Sequence, residues 1–172
     1  MKKQKKGFTL VELIVVIVIV GILSIISLPI YQFNLEKARF TEAFTTLRAI
    51  ADANTLYFIE YGEWCSDIRD LPVQVDGTYI FQNGAWRIQN ENFIYACVGD
   101  SSDDTIATVN RAPYHQRYWV SMRSITGKLG DKSPKLGDYG LYGDVYSGSK
   151  FKTFDKMVVE FYQNRYKMTN NG

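Results

Sequence analysis

The sequence predicts an α+β chain: one long N-terminal helix, membrane anchor in its first half and amphipathic spine in its second, packed on a small, largely antiparallel β-sheet head with a short C-terminal helix. Three observations carry this expectation. No residue from Leu13 to Ile30 is charged. Apolar residues then keep a one-faced helical spacing as far as Tyr61. Beyond Gly62, short β-prone runs alternate with turn residues.

The first element is read from charge and length. Lys2, Lys3, Lys5 and Lys6 form a basic flank without an acidic residue, and such a cluster beside an apolar run stays on the cytoplasmic side of a bilayer. About 18 to 20 apolar residues at about 1.5 Å each span a hydrocarbon core of about 30 Å. A secretory signal has a shorter apolar region of roughly 7 to 15 residues followed by a small-x-small site. Here the run continues into YQFNLEKARF with no such break. Glu12 is the anomaly, because a charge at the bilayer centre costs roughly 2.5 to 3.5 kcal/mol and somewhat less near the interface, so a partner is expected for it. Two weak points follow. Gly21 lowers helix propensity by roughly 1 kcal/mol relative to Ala, and Pro29 removes a backbone donor and crowds the carbonyl one turn earlier.

The segment KKGFTLVEL, Lys5 to Leu13, resembles the leader and start of the type IV prepilin family, which includes type IV pilins and the pseudopilins of type II secretion. Gly21 and Pro29 also fall where members of that family commonly carry a glycine and a proline, so the resemblance covers Lys2 to Ile30. It implies a pilin-like fold and cleavage after Gly7 by a prepilin peptidase on the cytoplasmic side. It further implies N-methylation of Phe8, an assembly role for Glu12, and a helix that loosens between Gly21 and Pro29 in a filament. The implied partners are other copies of the chain or related pilins, the peptidase/N-methyltransferase, the inner-membrane assembly machinery, and the membrane before assembly. The expected organisation is a leader at 1–7, a long helix at 8–61 with its membrane or filament-core part at 8–30, and a head at 62–172. The expected location is the inner membrane, single-pass with the head periplasmic, and then a surface pilus or periplasmic filament.

Charge and cysteines bound the chemistry. Loss of the leader takes four lysines and no acid from 20 basic and 18 acidic side chains, leaving 16 against 18 and a net charge of −2. A near-neutral chain has no general drive toward nucleic acid, and none is expected as a specific partner. Cys65 and Cys97 would lie outside the cytoplasm, where disulfides persist, and two cysteines allow a single intramolecular pairing. A closed loop of about 33 residues would contribute roughly 3.7 kcal/mol in the chain-entropy model. Two free thiols are the competing reading. With the lone His115 the cysteines supply too few ligands for a closed zinc site, and no metal or cofactor is expected.

The remaining elements follow in order. Phe40, Ala43, Phe44, Leu47, Ile50, Ala51, Leu56, Tyr57 and Tyr61 approximate one helix face, with Glu36, Lys37, Arg39, Glu42, Arg48 and Asp52 on the polar side. Gly62 is the stop. In TYIFQNGAWRIQ, Asn83-Gly84 between two β-prone runs marks a hairpin. Phe93 to Val98, Thr105 to Asn110 and Tyr118 to Met122 are further strands, giving a sheet of four or five strands covered by the helix. The Gly-, Ser-, Asp- and Lys-rich stretch at about 124–150 reads as irregular. Phe154, Met157, Val158, Phe161 and Tyr162 sit at i, i+3, i+4, i+7 and i+8, a short C-terminal helix.

No catalytic residues are expected. One histidine in a polar APYHQRY segment gives a Ser-His or Cys-His mechanism few ways to be built. Asp100, Asp103 and Asp104 fail the EF-hand pattern, since its sixth position is Thr105 and its twelfth Arg111. Asp131, Asp138 and Asp144 have no calcium-loop spacing. Trp64, Trp86 and Trp119 are read mainly as packing residues. The favoured function is therefore a structural subunit of a type IV pilus-like filament. A type II secretion pseudopilin is one alternative, and a signal-anchored extracytoplasmic binding domain or enzyme that does not polymerise is another.

Overall fold

The computed structural model describes residues 7–98, 105–111, 117–124, 139–146 and 152–165. Helix α1 spans Leu10–Tyr61. After a single 3-10 turn at Ile68–Asp70 come strands β1 (Thr78–Gln82), β2 (Ala85–Gln89), β3 (Phe93–Cys97), β4 (Thr105–Arg111), β5 (Tyr118–Ser124) and β6 (Tyr139–Val145), and helix α2 (Lys152–Arg165) is the last element among the described residues. There are two compact units, one up to Lys37 and one from Ala38 onward, with the boundary inside α1.

In the first unit α1 is helical without interruption through Gly21 and Pro29. Sixteen Val, Leu and Ile side chains between Leu10 and Ile30 are exposed. Within it the Ser24 hydroxyl donates to the Val20 carbonyl at 2.7 Å.

In the second unit the buried seam of α1 runs Phe40, Ala43, Leu47, Ile50, Ala51, Asn54, the alternating three- and four-residue steps of one helix face. Leu56 and Tyr61, expected on that face, are exposed instead. Two residues past Asn54 is about half a turn, which carries Leu56 to the opposite side. The helix ends at Gly62, which takes φ 79° and whose N–H donates to the Phe58 carbonyl at 2.8 Å, a conformation glycine adopts without a Cβ penalty.

The six strands are hydrogen-bonded in chain order, each antiparallel to the next. Asn83 and Gly84 have φ 54° and 78°, the pair of positive values that a two-residue hairpin turn needs. Tyr95 pairs with Val109, Val109 with Val120 and Val120 with Gly143, so these residues share the face that meets the helices. The Phe40 ring lies against Phe93, Tyr118 and Tyr162 with centroids 6.2, 5.8 and 4.5 Å apart, at the centre of the helix-sheet core. The Thr41 hydroxyl and Tyr162 phenol hydrogen-bond at 2.6 Å. Arg117, just before β5, grips Asp155 in the first turn of α2, Nε to Oδ1 at 3.0 Å and Nη2 to Oδ1 at 2.5 Å, with the carboxylate fully buried.

The sheet has six strands where four or five were expected, because β6 lies inside the stretch read as irregular. Its Gly-Tyr-Asp composition hides a strand pattern. A Cβ on Gly143 would collide with the Trp119 carbonyl oxygen and sit 3.0 Å from Val120 Cγ2, so glycine there permits close approach to β5 rather than breaking the strand. The rest of that stretch, 125–138 and 147–150, lies outside the described residues. So do Lys2, Lys3, Lys5, Lys6, Asp100, Asp103, Asp104, His115, Asp131 and Asp138. Asp144 is exposed on β6. Trp64, Trp86 and Trp119 are half-buried rather than core. Trp64 packs on Phe58 at 4.6 Å, and Trp86 lies between Phe81 at 5.4 Å and the Arg69 guanidinium at 4.0 Å.

Candidate functional site

The N-terminal segment begins with Gly7, Phe8 and Thr9 outside the helix, all exposed. A helix start leaves its first N–H groups without intrahelical partners. Here Thr9 Oγ1 accepts the Glu12 N–H at 3.3 Å, while Glu12 Oε2 accepts the Thr9 N–H at 2.8 Å and the Thr9 hydroxyl at 2.7 Å. This is a capping box, Thr at the N-cap and Glu three residues on. The spacing T-x-x-E before an apolar run was available in the sequence, so Thr9 is the residue that a reading centred on the charge of Glu12 passes over. The carboxylate is thereby held at the positive end of the helix dipole. Its Oε1 makes no hydrogen bond among the described residues.

The apolar surface that follows is the larger feature. Phe8 is 81% exposed and Ile25 75%, and none of the apolar window of α1 is buried. Full burial of a Val, Leu or Ile side chain stabilises by about 1.5 to 3 kcal/mol, so sixteen such side chains represent on the order of tens of kcal/mol. That exceeds the net stability of a typical domain, about 5 to 15 kcal/mol. A surface of this size requires lipid or protein against it. Gly21, with nothing within 4 Å of where a Cβ would be, and Pro29 both lie within the stretch.

Cys65 and Cys97 come together in the head from opposite sides of the fold. Cys65 follows α1 and Cys97 ends β3, and both are buried thiols. The Cys65 thiol donates to the Asp67 carbonyl at 2.9 Å. Burial pushes both thiols up from their ordinary values, Cys97 the further, which keeps them protonated and unreactive in the closed fold. Asn54, fully buried, bonds the backbone on both sides: its Oδ1 accepts the Cys65 N–H at 2.9 Å and its Nδ2 donates to the Ile106 carbonyl at 2.9 Å. The spacing from Ala43 through Leu47 and Ile50 puts position 54 on the seam, but an amide is a residue type read as exposed, so its burial was not legible from the sequence. Among the described residues no group of three or more His, Cys, Asp or Glu is placed to hold a metal ion.

Residues 2–28 match the sequence profile of a family described as carrying the prokaryotic N-terminal methylation motif. The chain is 42% identical over 107 residues to a type IV major pilin protein PilE of Neisseria gonorrhoeae, covering 60% of this chain and 61% of that protein. It is 43% identical over 67 residues to a fimbrial protein of Neisseria meningitidis serogroup A, covering 39% of each. It is 37% identical over 82 residues to the fimbrial protein EcpC of Eikenella corrodens, covering 46% of this chain and 54% of that one. The chain thus spans between 39% and 61% of the length of these curated relatives. No solved structure matches it.

Proposed function

An N-terminus of the type IV prepilin family, shared with relatives that are major pilins and fimbrial proteins, is the premise on which we propose that this chain is a structural subunit of a type IV pilus-like filament. The observation that carries the proposal is the exposed apolar surface of α1 from Leu10 to Ile30, which none of the described residues covers. In the precursor this surface faces lipid, with Lys2, Lys3, Lys5 and Lys6 on the cytoplasmic side of the inner membrane and the head on the other. In the filament it faces other copies. Head-to-tail repetition of one contact that does not close generates such a filament.

Processing fits the geometry of the helix start. The Gly7–Phe8 bond lies ahead of the Thr9 cap, in backbone that is neither helical nor crowded, and a peptidase needs an accessible extended segment. Cleavage leaves an α-amino group on Phe8, the site of N-methylation, one turn from the Glu12 carboxylate. In an apolar interior two such charges are tolerated mainly as a pair, so the Phe8 amine of one subunit against Glu12 of a neighbour sets the axial register of addition. The work of the chain is structural rather than catalytic, and its partners are its own copies, the prepilin peptidase and the inner-membrane assembly machinery.

The test is the composition of sheared filaments. Intact-mass analysis should find a chain beginning at Phe8 with one added methyl group, and Gly7→Val should retain the full-length precursor in the membrane and empty the filament fraction. A chain that keeps its leader lysines and never enters sheared filaments overturns the proposal.

A further inference from the structure

Asn54 is a fully buried amide on the seam of α1, at a position where the helical spacing calls for an apolar side chain. A buried amide without partners costs roughly 1 to 3 kcal/mol, and here it is engaged toward two separate segments. On one side Oδ1 accepts the Cys65 N–H at 2.9 Å. On the other Nδ2 donates to the Ile106 carbonyl at 2.9 Å and approaches the Val98 carbonyl at 3.5 Å. The Ile106 carbonyl also accepts the Val98 N–H at 3.1 Å, so Nδ2 holds the paired ends of β3 and β4. The two backbones gripped by this one side chain are those that carry Cys65 and Cys97.

We propose that Asn54 is the positioning residue for a Cys65–Cys97 disulfide, bringing the two sulfurs into line when α1 docks on the sheet and fixing the bond to that docked geometry. The oxidant is a disulfide, small or carried by a protein. One cysteine thiolate attacks a sulfur of that oxidant, forming a mixed disulfide and releasing the oxidant's other sulfur as a thiol. The second cysteine thiolate then displaces the remaining oxidant sulfur. Two protein thiols become one disulfide and the oxidant's disulfide becomes two thiols, so electrons and protons balance. In the closed head the thiols are 2% and 5% exposed, so the first attack belongs to an opened head. Asn54 acts on the second, intramolecular step.

The inference draws on the filament reading only for an oxidising compartment, and its test has no filament readout. Full-length protein in detergent micelles is equilibrated with mixtures of reduced and oxidised glutathione, and the effective concentration of the thiol pair is read with and without denaturant. Asn54→Ala should lower the native value at least tenfold and leave the denatured value unchanged. Thr41→Val, which removes a distant helix-helix hydrogen bond to Tyr162, should lower thermal stability and leave the native effective concentration unchanged. A merely structural asparagine would behave like Thr41. If Asn54→Ala does not fold with its thiols reduced, it is oxidised in denaturant and then refolded, and recovery of the native fold supports the proposal. A wild-type effective concentration in Asn54→Ala, or failure of the pre-oxidised variant to fold, overturns it.

Discussion

Glu12 has two jobs in the scheme above, and substitutions can separate them. In the isolated chain it completes a capping box with Thr9. In a filament its charge would meet the Phe8 amine. Glu12→Gln keeps a side-chain oxygen for the Thr9 N–H, since Gln serves at this position of the box, but removes the charge. Thr9→Val removes the hydroxyl and leaves the charge. Loss of the cap costs about 0.5 to 2 kcal/mol, a fraying of the first turn. Loss of one partner from a buried ion pair costs about 3 to 5 kcal/mol, which at about 1.4 kcal/mol per tenfold is a loss of two to three and a half powers of ten in subunit addition. In cells making only the variant, the ratio of sheared filament to membrane pool is measured by immunoblot. Glu12→Gln should insert normally and yield essentially no filament, while Thr9→Val should retain filaments. Wild-type amounts from Glu12→Gln, with loss in Thr9→Val, would refute the reasoning and make Glu12 a cap alone.

Three further predictions concern the head. Asp155→Ala leaves the Arg117 guanidinium, 15% exposed, beside an emptied partner site and should lower the melting temperature by roughly 10 to 15 °C from a loss of about 3 to 5 kcal/mol, read by circular dichroism. Gly143→Ala drives a Cβ into the Trp119 carbonyl and should cost about 1 to 3 kcal/mol, with faster amide hydrogen exchange confined to β5 and β6. Burial pushes the Tyr95 phenol up to about 12. The stability drawn from its neutral form is full below the ordinary value of about 10 and is lost as pH rises through about 12, so Tyr95→Phe should flatten the alkaline limb of a stability-pH curve.

The parts legible in the sequence were those where a local rule and the tertiary fold agree. Asn83-Gly84 demands a turn of one kind and receives it. The α1 seam from Phe40 to Ile50 follows the apolar spacing, until Asn54 replaces the next apolar residue and the expected Leu56 and Tyr61 turn outward. That failure is informative, since Asn54 is buried for the sake of two backbone segments that lie 11 and 52 residues away in sequence. β6 was missed for a related reason, because its glycine answers to the neighbouring strand and not to its own chain. At the N-terminus charge, glycine and apolar length stand in one short register, so the exposed apolar helix could be read without any knowledge of the head.

The strands of the head are bonded in the order in which the chain supplies them. Each strand added to the sheet therefore closes only a short loop, the low-contact-order arrangement that favours rapid folding. The exception is the aromatic cluster of Phe40 with Tyr118 and Tyr162. Its first ring enters with the helix spine and its last with the C-terminal helix, so a chain folding from its N-terminal end zips its sheet strand by strand but leaves the centre open. Tyr162 is the last of these rings to arrive, and a chain truncated before α2 would present a finished sheet around an unfinished core, a ready substrate for proteolysis.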